Sequence, residues 1–181
     1  IDTIFKKNFL ENFLKVAKKI KNFAILLPNN GKLKSKKKLV ERYNFEGSIM
    51  LFNMAELKKS NFFDKNIFLY FEEIDLFLRC KKDNKKVYVA TNVSIVHQQG
   101  SSVVLENKNE LIYLRVWHYM WSMFYVFKKN YGYLYAIKKS YIYLFKDLMM
   151  LSIFFLKLDK FNFLKRLNRI MGLITSMLNI K

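Results

Sequence analysis

FLYFEEIDLFLR, Phe68 to Arg79, joins an aromatic run to a group of acids at the head of an apolar segment. Phe68, Leu69, Tyr70 and Phe71 form an aromatic, strand-like run. It delivers Glu72, Glu73 and Asp75 to the start of a segment whose apolar residues Ile74, Phe77 and Leu78 fall at helical spacing. Carboxylates at that point suit the first turn of a helix, where unpaired N–H groups and the positive end of the peptide dipole favour negative charge. Two readings follow from the same residues. The acids cap the helix, or an aromatic-walled acidic cluster at a strand-to-helix junction holds a general base.

The flanking sequence supplies the other layers. From Phe5 to Ile20 the apolar positions Phe9, Phe13, Val16, Ala17 and Ile20 recur at helical intervals with lysines mostly on the other face, predicting an amphipathic helix. Phe23 to Leu27 is a short continuous apolar run ended by Pro28, Asn29, Asn30 and Gly31, the pattern of a buried strand and a turn. Gly47 and Ser48 open a second strand-like run, GSIMLF, and Met54 to Lys59 reads as one or two helical turns. Lys86 to Val96 alternates with period two and predicts a strand bent near Thr91 and Asn92, with His97 at its end. Helices alternating with strands imply an α/β arrangement. A histidine at a strand end serves either as a hydrogen-bonded structural residue or as a metal ligand.

Taken in order and spacing, GSIML (Gly47 to Leu51), FFDKNIFLYFEEIDLFLR (Phe62 to Arg79) and VHQQGSS (Val96 to Ser102) resemble the second half of the catalytic domain of family 2 glycosyltransferases, particularly the rhamnosyltransferase-like branch. The resemblance spans Ile1 to Gly132. It implies the C-terminal half of a GT-A nucleotide-diphosphosugar transferase domain, residues 1–107, followed by a helical, basic, aromatic-rich extension, residues 108–181. It also implies inverting transfer of a sugar such as rhamnose from a nucleotide diphosphate donor to a polysaccharide or lipid-linked acceptor in cell-surface glycan synthesis. Glu73 aligns with the acid that serves as base, where aspartate is the commoner residue. Glu72 is expected to orient the acceptor or its loop, and Asp75 to cap the helix or pair with a cation. Gly47 and Ser48 match the small-residue motif beside the donor sugar and acceptor. His97 matches a metal ligand completing a site for a divalent ion, Mg or Mn.

Two departures from the family pattern stand out. The DxD-type motif that holds the metal and the nucleotide diphosphate has no counterpart here: Asp2 is the only acid before Glu11. The nucleotide-binding half is therefore expected upstream of Ile1, and this portion alone is expected to be inactive. In addition, Ser60, Asn61 and Phe62 stand before Phe63 and Asp64, where the family often has a glycine pair.

Composition narrows the partners. A formal net charge of +19 and a pI near 9.9 make the surface cationic and suited to phosphates, although a coding bias toward Lys, Asn, Ile and Phe produces much the same charge. Hydrophobic content of 52% excludes a disordered chain, and one cysteine, Cys80, excludes an internal disulfide or multi-cysteine zinc motif. The five lysines between Lys32 and Lys38 read as a solvated loop or a contact for a lipid diphosphate. From Lys108 onward 13 basic residues face 3 acidic ones, interleaved with aromatics. The longest apolar stretch there, Leu148 to Leu156, is too short to span a bilayer, which takes about 20 helical residues. Such helices either lie on an anionic membrane surface or pack on protein, and the first alternative places the chain in the cytoplasm, peripheral on the inner face of the membrane. A non-enzymatic membrane-binding or nucleic-acid-binding module is the competing class. Nucleic acid is the weaker version, because no zinc, RNP-like or recognition-helix pattern is present.

Overall fold

The computed structural model describes residues 3–57, 62–97 and 108–180. Ser60, Asn61, Gln98 to Ser102, the side chain of His97 and the composition change at Asn107 lie outside the described residues. The chain is mixed α/β and divides into two compact units. One comprises residues 1–63 and 76–103, the other 64–75 and 104–181. The helical unit therefore includes the short segment before and within the EEID motif.

The sheet unit is built on β5 (Val87–His97), which pairs with three other strands. It runs parallel to β2 (Ile25–Asn29) and antiparallel to β3 (Leu39–Glu41) and β1 (Thr3–Phe5). A short β4 (Leu51–Phe52) extends the sheet beyond β2. The β2 ladder steps from Pro28 opposite Ala90 to Asn29 opposite Ser94. The irregularity thus falls at Thr91 to Val93, in the part of β5 where the alternation predicts a bend. β2 takes in Pro28, beyond the run that ends at Leu27. This is tolerated because β4 pairs only Ile25 and Leu26, so the missing proline N–H interrupts no ladder on that side. Asn29 then closes the turn: its Oδ1 accepts from the N–H groups of Gly31 and Leu33, and Gly31 takes the positive φ of 84° that the turn requires.

Residues of β2 and β5 alternate between two cores. On one face Ile25, Leu27, Val87 and Val89 meet Leu76, Phe77 and Cys80 of α3 (Glu72–Lys82). On the other, Leu26, Ala90 and Val93 meet Phe13, Val16, Ala17 and Ile20. Most of these last four belong to α1 (Phe9–Lys19). A strand covered on both faces must be apolar throughout, which explains the unbroken FAILL run. The helix from Phe5 to Ile20 is shorter than its periodicity predicts. Phe5 instead ends β1, and Asn8, in the left-handed region at φ 59°, resets the backbone before α1 begins.

The aromatic run Phe68 to Phe71 is not a strand, contrary to expectation. Tyr70 and Phe71 adopt positive φ values of 64° and 66°. Consecutive left-handed residues turn the chain too tightly for a ladder, and the rings pack on a helix instead.

That helix, α4 (Lys108–Tyr131), begins the second unit and is followed by α5 (Tyr133–Leu156) and α6 (Lys160–Met177). Gly132, at φ 90°, separates α4 from α5, and Asp159 caps α6 by accepting from the Asn162 N–H. Met120, Met123 and Phe124 of α4, Ala136 of α5 and Leu173 of α6 form the shared core. Asp147 of α5 is buried, with Arg166 Nη1 and Arg169 Nε of α6 each 2.7 Å from its carboxylate. No described helix is long and apolar enough to cross a membrane.

α4 and α6 approach closely at Gly172. A Cβ at Gly172 would collide with the Trp117 carbonyl oxygen and come within 3.0 Å of the carbonyl carbon. Nearby, Ser176 Oγ donates to the Trp121 carbonyl at 2.9 Å, and Trp121 Nε1 donates to the Ile180 carbonyl at 2.8 Å. Alanine gains about 0.5–1 kcal/mol over glycine in a helix, but overpacking against rigid backbone costs about 1–3 kcal/mol. Gly172→Ala is therefore expected to lower stability. A urea midpoint at or above that of the parent protein would show that the helices separate without penalty.

Candidate functional site

Each carboxylate of the EEID motif has a distinct environment in the first turn of α3. Asp75 is fully buried. Its Oδ2 lies 2.9 Å from Lys129 Nζ, and its Oδ1 accepts from Asn130 Nδ2 at 3.1 Å. Glu72 and Glu73 are half-buried, and Glu72 Oε2 is buried without a hydrogen-bond partner among the described residues. Asp75 thus pairs with a cation inside the protein.

A second acid joins this cluster. Asp64 Oδ1 accepts from the Asn66 N–H at 2.9 Å, an Asx turn that folds the chain back on itself. Its Oδ2 accepts from Tyr125 OH at 2.9 Å and lies 2.8 Å from Lys129 Nζ. Asn66 Nδ2 donates to the same Tyr125 oxygen at 3.0 Å. One ammonium therefore bridges two carboxylates from the two ends of the 64–75 segment. Burial alone would raise the Asp64 pKa, but the bonds from Lys129, the Asn66 N–H and Tyr125 prevail and hold it at about 2. Burial opposes the charge on Lys129, while Asp64 and Asp75 outweigh it and push its pKa above the ordinary lysine value.

The spacing on α4 explains why one helix meets the whole segment. Tyr119, Ser122, Tyr125 and Lys129 follow one another at three- and four-residue steps and so share a face. Ser122 Oγ donates to the Leu69 carbonyl at 2.8 Å, and the Phe71 ring packs edge-on against Tyr119 and Phe127. The Tyr70 ring also meets Tyr119 edge-on. These contacts hold Tyr70 and Phe71 in left-handed conformations that cost about 1–3 kcal/mol each. The strained pair immediately precedes Glu72. Its effect is to set the direction in which the α3 first turn leaves the segment.

The remaining candidates belong to the sheet unit. Gly47, half-buried, and Ser48, exposed, lie in the connection between β3 and β4 and do not open a strand, which begins only at Leu51. His97 is the last residue of β5, its backbone opposite Thr3. The structure thus gathers Glu72, Glu73 and Asp75 in one helical turn of one unit and places Gly47, Ser48 and the His97 backbone in the other.

Asp64 and Lys129 carry no assigned role in the sequence reading. The signal for Lys129 is present: Ser122, Tyr125 and Lys129 form a polar row on one face of α4, beside its buried apolar residues. Among the described residues no group of three or more His, Cys, Asp or Glu side chains stands together to hold a metal ion. Asp64 and Asp75 instead share an ammonium. No family model, curated protein or solved structure matches the chain.

Removing one partner of a buried ion pair leaves an uncompensated charge and costs about 3–5 kcal/mol. Lys129→Met, which strands two carboxylates, is expected to destabilise the helical unit by that order, with Lys129→Met/Asp75→Asn recovering part of the loss. The lowered pKa of Asp64 contributes stability that is fully present above its ordinary value of 3.8 and is lost as pH falls toward about 2. The raised pKa of Lys129 contributes stability that is present below 10.5 and is lost as pH rises through the higher folded value. Urea denaturation from pH 2 to 7 should show the acid-side loss in the parent and a flatter profile in Lys129→Met. Parallel profiles would remove the cluster from the acid response.

Proposed function

We propose that this chain is the acceptor side of an inverting, GT-A-type family 2 glycosyltransferase, with Glu73 as the base that takes the proton from the acceptor hydroxyl. The observation that carries the reading is the division of labour in the first turn of α3. Asp75 is neutralised in the interior, while the two glutamates stay half-buried behind two strained aromatic residues. A purely capping role for the acids gives no reason for this backbone strain, whereas strain is commonly retained where a reactive side chain must be aimed.

In this reading the acceptor oxygen attacks the anomeric carbon of a nucleotide diphosphate sugar such as activated rhamnose while Glu73 removes the hydroxyl proton, and the bond from that carbon to the diphosphate breaks so that the nucleotide diphosphate leaves from the opposite face. Glu72 orients the acceptor. The Asp64–Lys129–Asp75 cluster holds the segment so that the base does not move with the chain. The acceptor is a polysaccharide or lipid-linked glycan. Positioned base catalysis is worth about 10² to 10⁴ in rate.

The test is turnover in the native polypeptide. Glu73→Gln keeps the shape but cannot accept the proton, so kcat is expected to fall about 10²-fold or more while donor affinity is retained. Near-normal turnover would remove Glu73 from the role, and an equal loss in Glu72→Gln alone would transfer it to Glu72.

A further inference from the structure

The outer face of α5 is largely apolar, interrupted by exposed Lys138 and Ser152. Leu134, Tyr141, Phe145, Leu148 and Phe155 share one stripe and are exposed, Leu134 at 83%, Phe145 at 64% and Phe155 at 66%. Ile142, Met149 and Leu156 recur every seven residues beside them and are exposed as well. At 24 residues the helix extends this surface for about 36 Å. Exposed apolar surface of this extent on a folded unit marks an interaction site.

The charges on α5 identify the partner. Lys139, Lys146 and Lys157 follow at steps of seven and eleven residues and so line one flank of the apolar face, while Lys138 rises within it. The only acid between Tyr133 and Leu156 is Asp147, which is buried and held by Arg166 and Arg169. The face therefore offers apolar side chains edged by cations, with no exposed carboxylate from its own helix. A second copy would bring the same positive sign against it, since residues from Lys108 onward carry 13 basic and 3 acidic groups.

We propose that the outer face of α5 docks on an anionic phospholipid surface, with Leu134, Phe145, Leu148 and Phe155 entering the acyl boundary and Lys139, Lys146 and Lys157 meeting lipid phosphates. The helix lies in the interface and does not cross it, in keeping with the absence of any described helix apolar enough to span. Tyr141 suits the headgroup level, and the Lys138 stem is long enough to lift its ammonium out of the apolar layer. The inference rests on α5 alone, independently of the transferase reading.

Cosedimentation of the full chain with vesicles tests it. Binding is expected to vesicles of phosphatidylglycerol and phosphatidylcholine, to be weak with phosphatidylcholine alone, and to fall as salt rises. Each lysine at such a surface strengthens partition about fivefold, so Lys139→Glu/Lys146→Glu should weaken it by more than tenfold. Phe145→Glu/Phe155→Glu should weaken it at least tenfold, with an unchanged circular dichroism spectrum. Leu10→Glu, an exposed apolar position on α1, should leave it unchanged. No binding to anionic vesicles, equal binding to neutral ones, or full binding by the Phe145/Phe155 variant would overturn the proposal. A dimer abolished by those two substitutions, without vesicle binding, would also overturn it and give the face to a second copy.

Discussion

The buried carboxylate of Asp75 is the constraint around which the helical unit is arranged. A charge with no exposure must be matched, and the match comes from Lys129 and Asn130 of a helix more than fifty residues further along the chain. Because the same ammonium also binds Asp64, the loop from 64 to 75 is fixed at both ends. Ser122 and the aromatic rings of α4 then hold its middle. Buried ion pairs are weak evidence for net stability, since desolvation offsets their attraction. Here the consequence is specificity: any shift of the loop along α4 would leave the buried Asp75 carboxylate without its cation.

Asp147 repeats the device within the same unit. Its two arginines come from one helix at a three-residue step, so both reach the carboxylate from the same face of α6. In a chain of net charge +19, two acids of this unit, Asp75 and Asp147, are buried inside it. The surface that remains is cationic by subtraction. This follows whatever the origin of the lysine excess, and it leaves α5 with apolar side chains and cations on its outer face.

The two glutamates owe their setting to the same arrangement. Glu72 and Glu73 stand one and two residues beyond a strained aromatic pair, and the positive φ values there are maintained by packing within the helical unit. Strain held by packing survives only where the surrounding contacts outweigh it. The helix start at Glu72 also benefits from acids beside unpaired N–H groups, so the capping and catalytic readings share one local geometry.

Local periodicity was enough for the alternating helices and strands, the buried β2, the irregularity in β5 and the start of α3 near Glu72, because each depends on residues near one another in the chain. For Asp75 it left two readings, a helix cap or a partner for a cation. Its pairing with Lys129 was decided only by tertiary structure, since no rule of spacing joins two residues 54 positions apart. The same limit applies to Phe68 to Phe71. Four aromatic and branched residues favour a strand in isolation, yet contacts with Tyr119 and Phe127 outweigh that preference and stabilise left-handed backbone. Propensity is a local sum, whereas burial of charge and rings is settled between distant elements.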